Sequence, residues 1–418
     1  MKRSRDMPPA RSRRPVRLLT LTTLFPNSLR PRHGIFIANR LRLLCATGRV
    51  DATVVAAVPW FPGYYRDDAQ VPERESIAGF DVHHPRYFNW PGIGMRRQPD
   101  ALARALLRTL RGPAFAGRTF DVVDAHYFYP DGVAAAIVAK ALRLPLVVSA
   151  RGSDVNRIGD FAFARQRMRR MAAQASSVIA VSQALKDRIL ALGITTGSVS
   201  VLRNGVDTAQ FSLTERTAAR TRLGLDPSCT LMLAVANLVP EKGIDLLLRA
   251  AGRNASWRVL VVGDGPDRES LRKLAQREAP GRVEFRDSMP QADLRYAYAA
   301  ADALALPSLR EGWPNVVLEA MACGTPVAAA AVGGVAEIVQ DGAPGIVVAN
   351  RSVESWSDAL NALVAARWSP QAVRAYAMDF GWDEVIDRQC GLYEAVARQH
   401  HVTAQARASP PAPLAARR

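Results

Sequence analysis

The run from Pro307 to Val327, PSLREGWPNVVLEAMACGTPV, holds the groups best suited to chemistry, with the carboxylates Glu311 and Glu319 separated by seven residues. Between them Gly312 and Pro314 shape a loop. Asn315 is expected to cap a helix whose first turn includes Val316. Unpaired N–H groups in such a turn make an anion site that suits phosphate. Glu319 falls four residues past the expected cap, close enough to the same ligand to accept both hydroxyls of a ribose. A second element, Asn237 to Gly243 (NLVPEKG), brings Lys242, which can neutralise phosphate as a point charge. Alone, Lys242 reads as a solvated lysine at a helix start. Together with the first loop it reads as a ligand group. Gly263-Asp264-Gly265-Pro266 begins like a dinucleotide fingerprint, but Arg268 stands at the third glycine position. A tight strand-to-helix turn explains it equally well.

The elements that must position these groups follow from hydrophobic period. Short apolar runs of β type, at 16–25, 52–58, 120–125, 145–150, 177–181 and 199–202, alternate with amphipathic helical stretches. The alternation restarts at 230–236 and continues through 257–262, 282–285, 302–306, 326–330 and 345–348. Strand–helix alternation predicts parallel sheets covered by helices, and two series predict an α/β chain of two doubly wound domains. Ligands of such sheets sit at the carboxyl ends of the strands, which is where both loops fall. The expected organisation is a basic disordered arm over 1–15, a first domain over 16–205, a second over 206–378, a C-terminal helix over 379–400 packing back on the first domain, and a disordered tail over 401–418. The Asn204-Gly205 turn signal marks the boundary.

In extended form, EGWPNVVLEAMACGTPV followed by GGVAEIV resembles the E-x7-E motif of family 4 glycosyltransferases, and the resemblance covers roughly residues 16–398. It implies a GT-B fold, two Rossmann-like domains facing across a cleft, and retaining transfer of a sugar from a nucleotide-diphosphate sugar to an acceptor hydroxyl. It assigns Glu319 to the ribose, Glu311 to the neighbourhood of the anomeric carbon and Lys242 to the diphosphate. Asn237 stands where family members usually carry Arg, so a second cation must come from elsewhere, with Arg151 or Arg203 as substitutes. In the first half, PNSLRPRHGIF resembles the family's first loop, with Gly34 as the glycine that approaches the donor phosphate. His126, in DAHYFYPDG, matches the histidine that faces the sugar. Arg151 and Asp154, in SARGSD, match the next strand-end loop. The pattern is nearest to bacterial members that build cell-surface polysaccharides, which implies a glycan or polyprenyl-linked acceptor. The chain contains no Asp-x-Asp. A metal-independent site without a cofactor is therefore expected, with Lys242 and helix N-termini supplying the positive potential.

Composition narrows the alternatives. At 418 residues and 49% hydrophobic, the chain can bury a large core and is not disordered throughout. The net charge of +17 is carried by Arg rather than Lys and is asymmetric: residues 1–205 hold 32 basic and 14 acidic side chains, whereas 206–418 hold 23 and 24. The excess therefore belongs to the acceptor side and suits an anionic partner. Charge alone suggests nucleic acid, but no nucleic-acid module accompanies it. A nucleotide-sugar epimerase of the same architecture is the alternative enzyme. The aromatic stretches Trp60–Tyr65 and Tyr87–Trp90, together with Arg96, Arg97, Arg104, Arg108 and the arginines of 161–174, suit an anionic leaflet. Leu102, Leu106 and Leu110 face either that leaflet or the core. Four dispersed cysteines and an N-terminus without a cleavage site suggest a cytoplasmic protein, peripheral on the inner face of the membrane.

Overall fold

The computed structural model describes residues 14–195 and 197–408. Most of the basic arm and the end of the tail lie outside the described residues. The first strand series comprises β1 (Val16–Thr22), β2 (Val50–Ala56), β3 (Val58–Trp60), β4 (Arg74–Ile77), β5 (Phe80–His83), β6 (Arg86–Phe88), β7 (Val122–His126), β8 (Leu146–Ala150), β9 (Ser177–Ala180) and β10 (Val199–Val201). The second comprises β11 (Thr230–Val235), β12 (Trp257–Val262), β13 (Val283–Arg286), β14 (Ala303–Leu306), β15 (Val327–Ala330) and β16 (Gly345–Val348). The principal strands fall within one or two residues of the apolar runs, except that β1 ends at Thr22, three residues before the end of its run, because strands buried on both faces read as continuous hydrophobic segments.

An eight-stranded sheet has the order β10-β9-β8-β7-β1-β2-β5-β4, and a six-stranded sheet has the order β13-β12-β11-β14-β15-β16. Pairing is parallel, as in Val16↔Val50 and Met232↔Ala303, apart from the β4–β5 hairpin. Apart from the β4–β5 hairpin at the edge of the first sheet, each order reverses once, between β7 and β1 in the first sheet and between β11 and β14 in the second. At such a switch point the loops leaving adjacent strands diverge to opposite faces and open a crevice. Strands β3 and β6 form a separate parallel ribbon, which the sequence pattern did not reveal.

Contacts divide the described chain into two units. One contains 14–148, 174–177 and 386–408; the other contains 149–173 and 178–385. The core of the second packs Leu247, Leu248 and Ala251 of the helix Ile244–Arg253 against Met232, Val259 and Ala305, with Trp356 and Leu360 from the helix Val353–Ala365. Local chemistry sets the helix ends. Ser182, Ser352 and Ser369 accept from first-turn N–H groups, and Gly224 ends Arg216–Leu223 in a left-handed conformation.

The C-terminal helix runs from Asp383 to Ala408, past His401, where a disordered tail was expected to begin. Its later part belongs to the first unit. Arg40 Nε donates to Gln389 Oε1 at 2.6 Å, and Arg49 pairs with Asp387 and Glu394 at 2.6 and 2.7 Å. These acids hold the Arg49 guanidinium well above its ordinary pKa. On the continued part His401 Nε2 lies 3.5 Å from Asp121 Oδ1.

Candidate functional site

The switch point of the six-stranded sheet gathers the loops after β11 and β14. After β11, Pro240–Lys242 makes one tight turn and Gly243, at φ +62°, starts the helix Ile244–Arg253. A Cβ on Gly243 would overlap the Pro307 carbonyl at the end of β14, so glycine lets the two loops touch. Leu309 N donates to the Glu241 carbonyl at 2.8 Å and joins them. Across this seam Lys242 Nζ lies 2.7 Å from Glu311 Oε1. Lysine and carboxylate are both only partly exposed, so the pair neutralises charge that would otherwise be costly to hold there.

Glu311 is held from three sides within this unit. Asn156 Nδ2 donates to its carbonyl at 3.2 Å. Gly333 packs so closely on that carbonyl that a Cβ would overlap it. Gly312 abuts Gly152 and the Arg151 carbonyl, where again no side chain fits. The Asp154 carboxylate accepts from the N–H groups of Arg151 and Gly152, at 3.1 and 2.8 Å, and fixes that turn.

The helix after Glu311 spans Asn315–Ala322, with Pro314 in the cap position and no side-chain cap. Asn315 is therefore the first helical residue rather than the cap. Its Oδ1 accepts from Asn204 Nδ2 at 3.0 Å. Proline has no side-chain acceptor, so the cap residue itself does not occupy the first-turn N–H groups at Asn315 and Val316. One turn on, Glu319 Oε2 accepts from the Tyr298 hydroxyl at 2.7 Å. Burial pushes the Glu319 carboxyl up to about 7, against the opposing effect of that hydroxyl. The Tyr298 hydroxyl is itself raised by burial and by the adjacent carboxylate.

The other expected groups are placed as follows. Asn237 is exposed beside the 263–265 turn, where Leu238 N donates to the Asp264 carbonyl at 2.8 Å. A Cβ on Gly263 or Gly265 would overlap the Ala236 or Leu238 carbonyl, so these glycines serve loop packing. Arg203 is engaged by Glu337 at 2.6 Å and lies 5.9 Å above the Trp313 ring. Glu337 also accepts from Gln183 N and Ala184 N, both at 3.0 Å. That carboxylate, absent from the expected set, ties the start of the helix Gln183–Ala191 to the glycine turn behind Glu311. A cavity of about 680 Å³ lined by Leu213, Arg216, Asp302, Cys323 and Trp368 lies at the opposite edge of the sheet, where β14 and β15 begin.

His126 and Gly34 belong to the first unit, at its own switch point. His126 Nε2 lies 3.0 Å from Asp124 Oδ2, two residues earlier on the same face of β7. Asp124 is fully buried and also accepts from the Tyr393 hydroxyl at 2.8 Å. Gly34, at φ +65°, presses against the Leu24 backbone where a Cβ would overlap the carbonyl. Asp131, on the loop after β7, accepts from Thr23 N at 2.7 Å and from the hydroxyls of Thr22 and Thr23 at 3.0 and 2.9 Å. It thereby locks the loop after β1 to the loop after β7. The sequence named neither Asp124 nor Asp131; the alternation of β7 could have pointed to Asp124.

The family model for glycosyl transferases group 1 matches residues 215–379, and that for glycosyltransferase family 4 matches residues 41–210. A Bacillus subtilis (strain 168) glycosyltransferase assigned to teichuronic acid biosynthesis, TuaC, is 32% identical over 77% of this chain and 83% of its own. D-inositol 3-phosphate glycosyltransferase 1 of Catenulispora acidiphila is 30% identical over 91% of this chain and 96% of its own. Among solved structures, Anabaena HepE in complex with UDP superposes with a TM-score of 0.68 at 20% identity, covering 91% of this chain and 100% of that one. Sucrose-phosphate synthase from Thermosynechococcus elongatus gives 0.73 at 20% identity, covering 92% and 99%. With two parallel sheets, each reversing order at a switch point that carries the matched motifs, the chain belongs to the family 4 glycosyltransferases of GT-B fold.

Proposed function

We propose that this glycosyltransferase takes a nucleotide-diphosphate sugar as donor and transfers the sugar, with retention at the anomeric carbon, to a hydroxyl of a lipid-linked glycan in bacterial polysaccharide assembly. The observation that carries the reading is the six-stranded sheet's switch point, where Lys242, Glu311, an uncapped helical turn and Glu319 converge. The first-turn N–H groups and Lys242 supply positive potential where a leaving diphosphate gains charge. Glu319 accepts the ribose hydroxyls, and its ionisation near neutrality sets when it does so. Glu311 and His126 position the sugar. The acceptor proton leaves toward the departing phosphate, and Lys242 with the first-turn N–H groups takes the place of a divalent ion on the diphosphate. Arg203, engaged by Glu337, positions the Trp313 loop rather than standing in for the arginine usual at the Asn237 position.

Bound UDP in Anabaena HepE and the teichuronic acid assignment of the Bacillus subtilis relative support the donor and acceptor classes. The test is a donor screen with purified protein, measuring UDP, GDP or ADP release from a panel of sugar nucleotides with and without polyprenyl-diphosphate glycans. Release that requires an acceptor is expected. Acceptor-independent conversion of the sugar nucleotide would instead make the protein an epimerase. In the cell the enzyme works at the cytoplasmic face of the membrane, where such acceptors are built.

A further inference from the structure

Two segments of the first unit, 58–66 and 86–97, contain Trp60, Phe61, Tyr64, Tyr65, Tyr87, Phe88, Trp90 and Ile93 and four arginines, without one acidic residue. The fold brings them together as the β3–β6 ribbon, in the register Val58↔Arg86, Pro59↔Tyr87 and Trp60↔Phe88. Strand alternation turns Tyr87 inward, where it is buried, and leaves its neighbour Phe88 outside. Phe61 then lies 5.4 Å from Phe88 and 5.6 Å from Trp90, and Trp60 lies 6.3 Å from Phe88. The result is one aromatic surface facing water. Trp90 is 52% exposed, and Ile93 at the tip of the following turn is 74% exposed.

The surface is pinned in place. Asn89 N donates to the Trp60 carbonyl at 3.0 Å, Asn89 Nδ2 to the Tyr65 hydroxyl at 2.7 Å, and Gln98 Nε2 to the Tyr87 hydroxyl at 3.0 Å. Exposed Arg66 borders it on one side, and exposed Arg96 and Arg97 on the other. The neighbouring helix Gln98–Leu110 buries Leu102 and Leu106 in the core. It therefore has no leucine face to offer a membrane, and the arginines Arg165 and Arg169 of the helix Ala162–Ala172 bond backbone carbonyls. Of the stretches in the amphipathic signal, the ribbon is the one that exposes tryptophan rings beside arginines.

We propose that the β3–β6 ribbon is a membrane-docking surface. Its indole and phenyl rings and Ile93 seat at the interface of a bilayer, and Arg66, Arg96 and Arg97 meet anionic headgroups. Charge complementarity favours this occupant, because the two segments carry four arginines and no acid, and Asp68, which follows the first of them, is buried and paired with Arg30 at 3.1 Å. An aliphatic tip suits acyl chains and has no counterpart in stacking on sugar rings. The proposal rests on the lipid-linked acceptor for its purpose, but it is tested apart from it.

The experiment is co-sedimentation of the full chain with phosphatidylcholine vesicles, with and without phosphatidylglycerol, together with quenching of tryptophan fluorescence by brominated lipid. The wild type should pellet with phosphatidylglycerol vesicles and lose binding as salt rises. Trp60→Ser/Trp90→Ser/Ile93→Ser should cut partitioning at least ~10-fold and abolish the quenching. Arg66→Gln/Arg96→Gln/Arg97→Gln should remove the dependence on phosphatidylglycerol. Unchanged melting and unchanged donor turnover would show that both variants fold. Vesicle binding equal in wild type and aromatic variant, or none by the wild type at low salt, overturns the proposal. So does binding of soluble glycan that the aromatic variant alone loses, which would make the ribbon a sugar platform. Ribbon-dependent vesicle binding without any donor turnover leaves the docking surface standing and removes only the transferase substrate reading.

Discussion

The switch points of the two sheets share a plan and differ in how their polar groups are held. In the first, Asp124 and Asp131 are buried, and their partners include hydroxyls, a backbone N–H and His126. In the second, Glu311 faces an ammonium and Glu319 a phenol, and both remain partly exposed. A buried carboxylate satisfied by fixed donors is expensive to disturb and suits a group that sets loop shape. A carboxylate with one mobile counter-ion can exchange that partner for a ligand. Shape is thus invested in the first switch point and exchangeable charge in the second.

The largest expected effect tests the second half of that contrast. Lys242→Ala or Glu311→Ala should lower kcat/KM by ~10²-fold or more, with little change in Tm, as loss of one preorganised charge partner does. Near-full activity in both variants would break the assignment. His126→Ala should lower kcat by ~10-fold or more while leaving donor KM nearly unchanged, as for a group that acts beside the reacting sugar. Asp131→Ala tests the first half of the contrast. It leaves Thr22, Thr23 and the Thr23 N–H without their acceptor and should cost roughly 1–3 kcal/mol by denaturant unfolding.

Glu319 sharpens the contrast through pH. Its carboxyl titrates near 7 in the folded chain, above the ordinary glutamate value, so the folded state holds this proton more tightly than the unfolded state. Its contribution is best with the proton bound, and stability falls as pH rises from about 4.5 through about 7. Glu319→Gln should therefore raise stability at pH 8 by up to roughly 2–3 kcal/mol, with the gain vanishing near pH 4. The same variant should weaken donor binding, so Tm and affinity should move in opposite directions. The smallest expected effect is none: EDTA should leave transfer intact, and a strict Mg²⁺ requirement would overturn the metal-independent mechanism.

The sheets were legible in the sequence because buried parallel strands are uninterrupted apolar runs bounded by turn residues. Lys242 and Glu311 were legible because each sits at a fixed step after such a run, although they lie 69 positions apart. Their supports were not. Tyr298 reaches Glu319 from 21 residues away, and Tyr393 reaches Asp124 from 269, and no local period records either meeting. Asn315 was misplaced by one position because proline before it looks like a loop residue, yet Pro314 takes the cap. The pairing of β3 with β6 leaves no periodic signal in the sequence, because these strands are three residues long and one contains a proline.

The first unit closes late. Its sheet contains Asp124 and its first helix contains Arg40, but the groups that answer them, Tyr393 and Gln389, come after the whole second unit in chain order. During synthesis roughly 240 residues intervene between Val148 and Ile386, on the order of 10–50 s of ribosome time. Through that interval a buried-to-be guanidinium and carboxylate wait for their partners from the C-terminal helix. The first unit can thus be completed only once the second has been made, so biogenesis of this enzyme is ordered by its last helix, and a chain truncated before Gln389 would be released with its first unit unfinished.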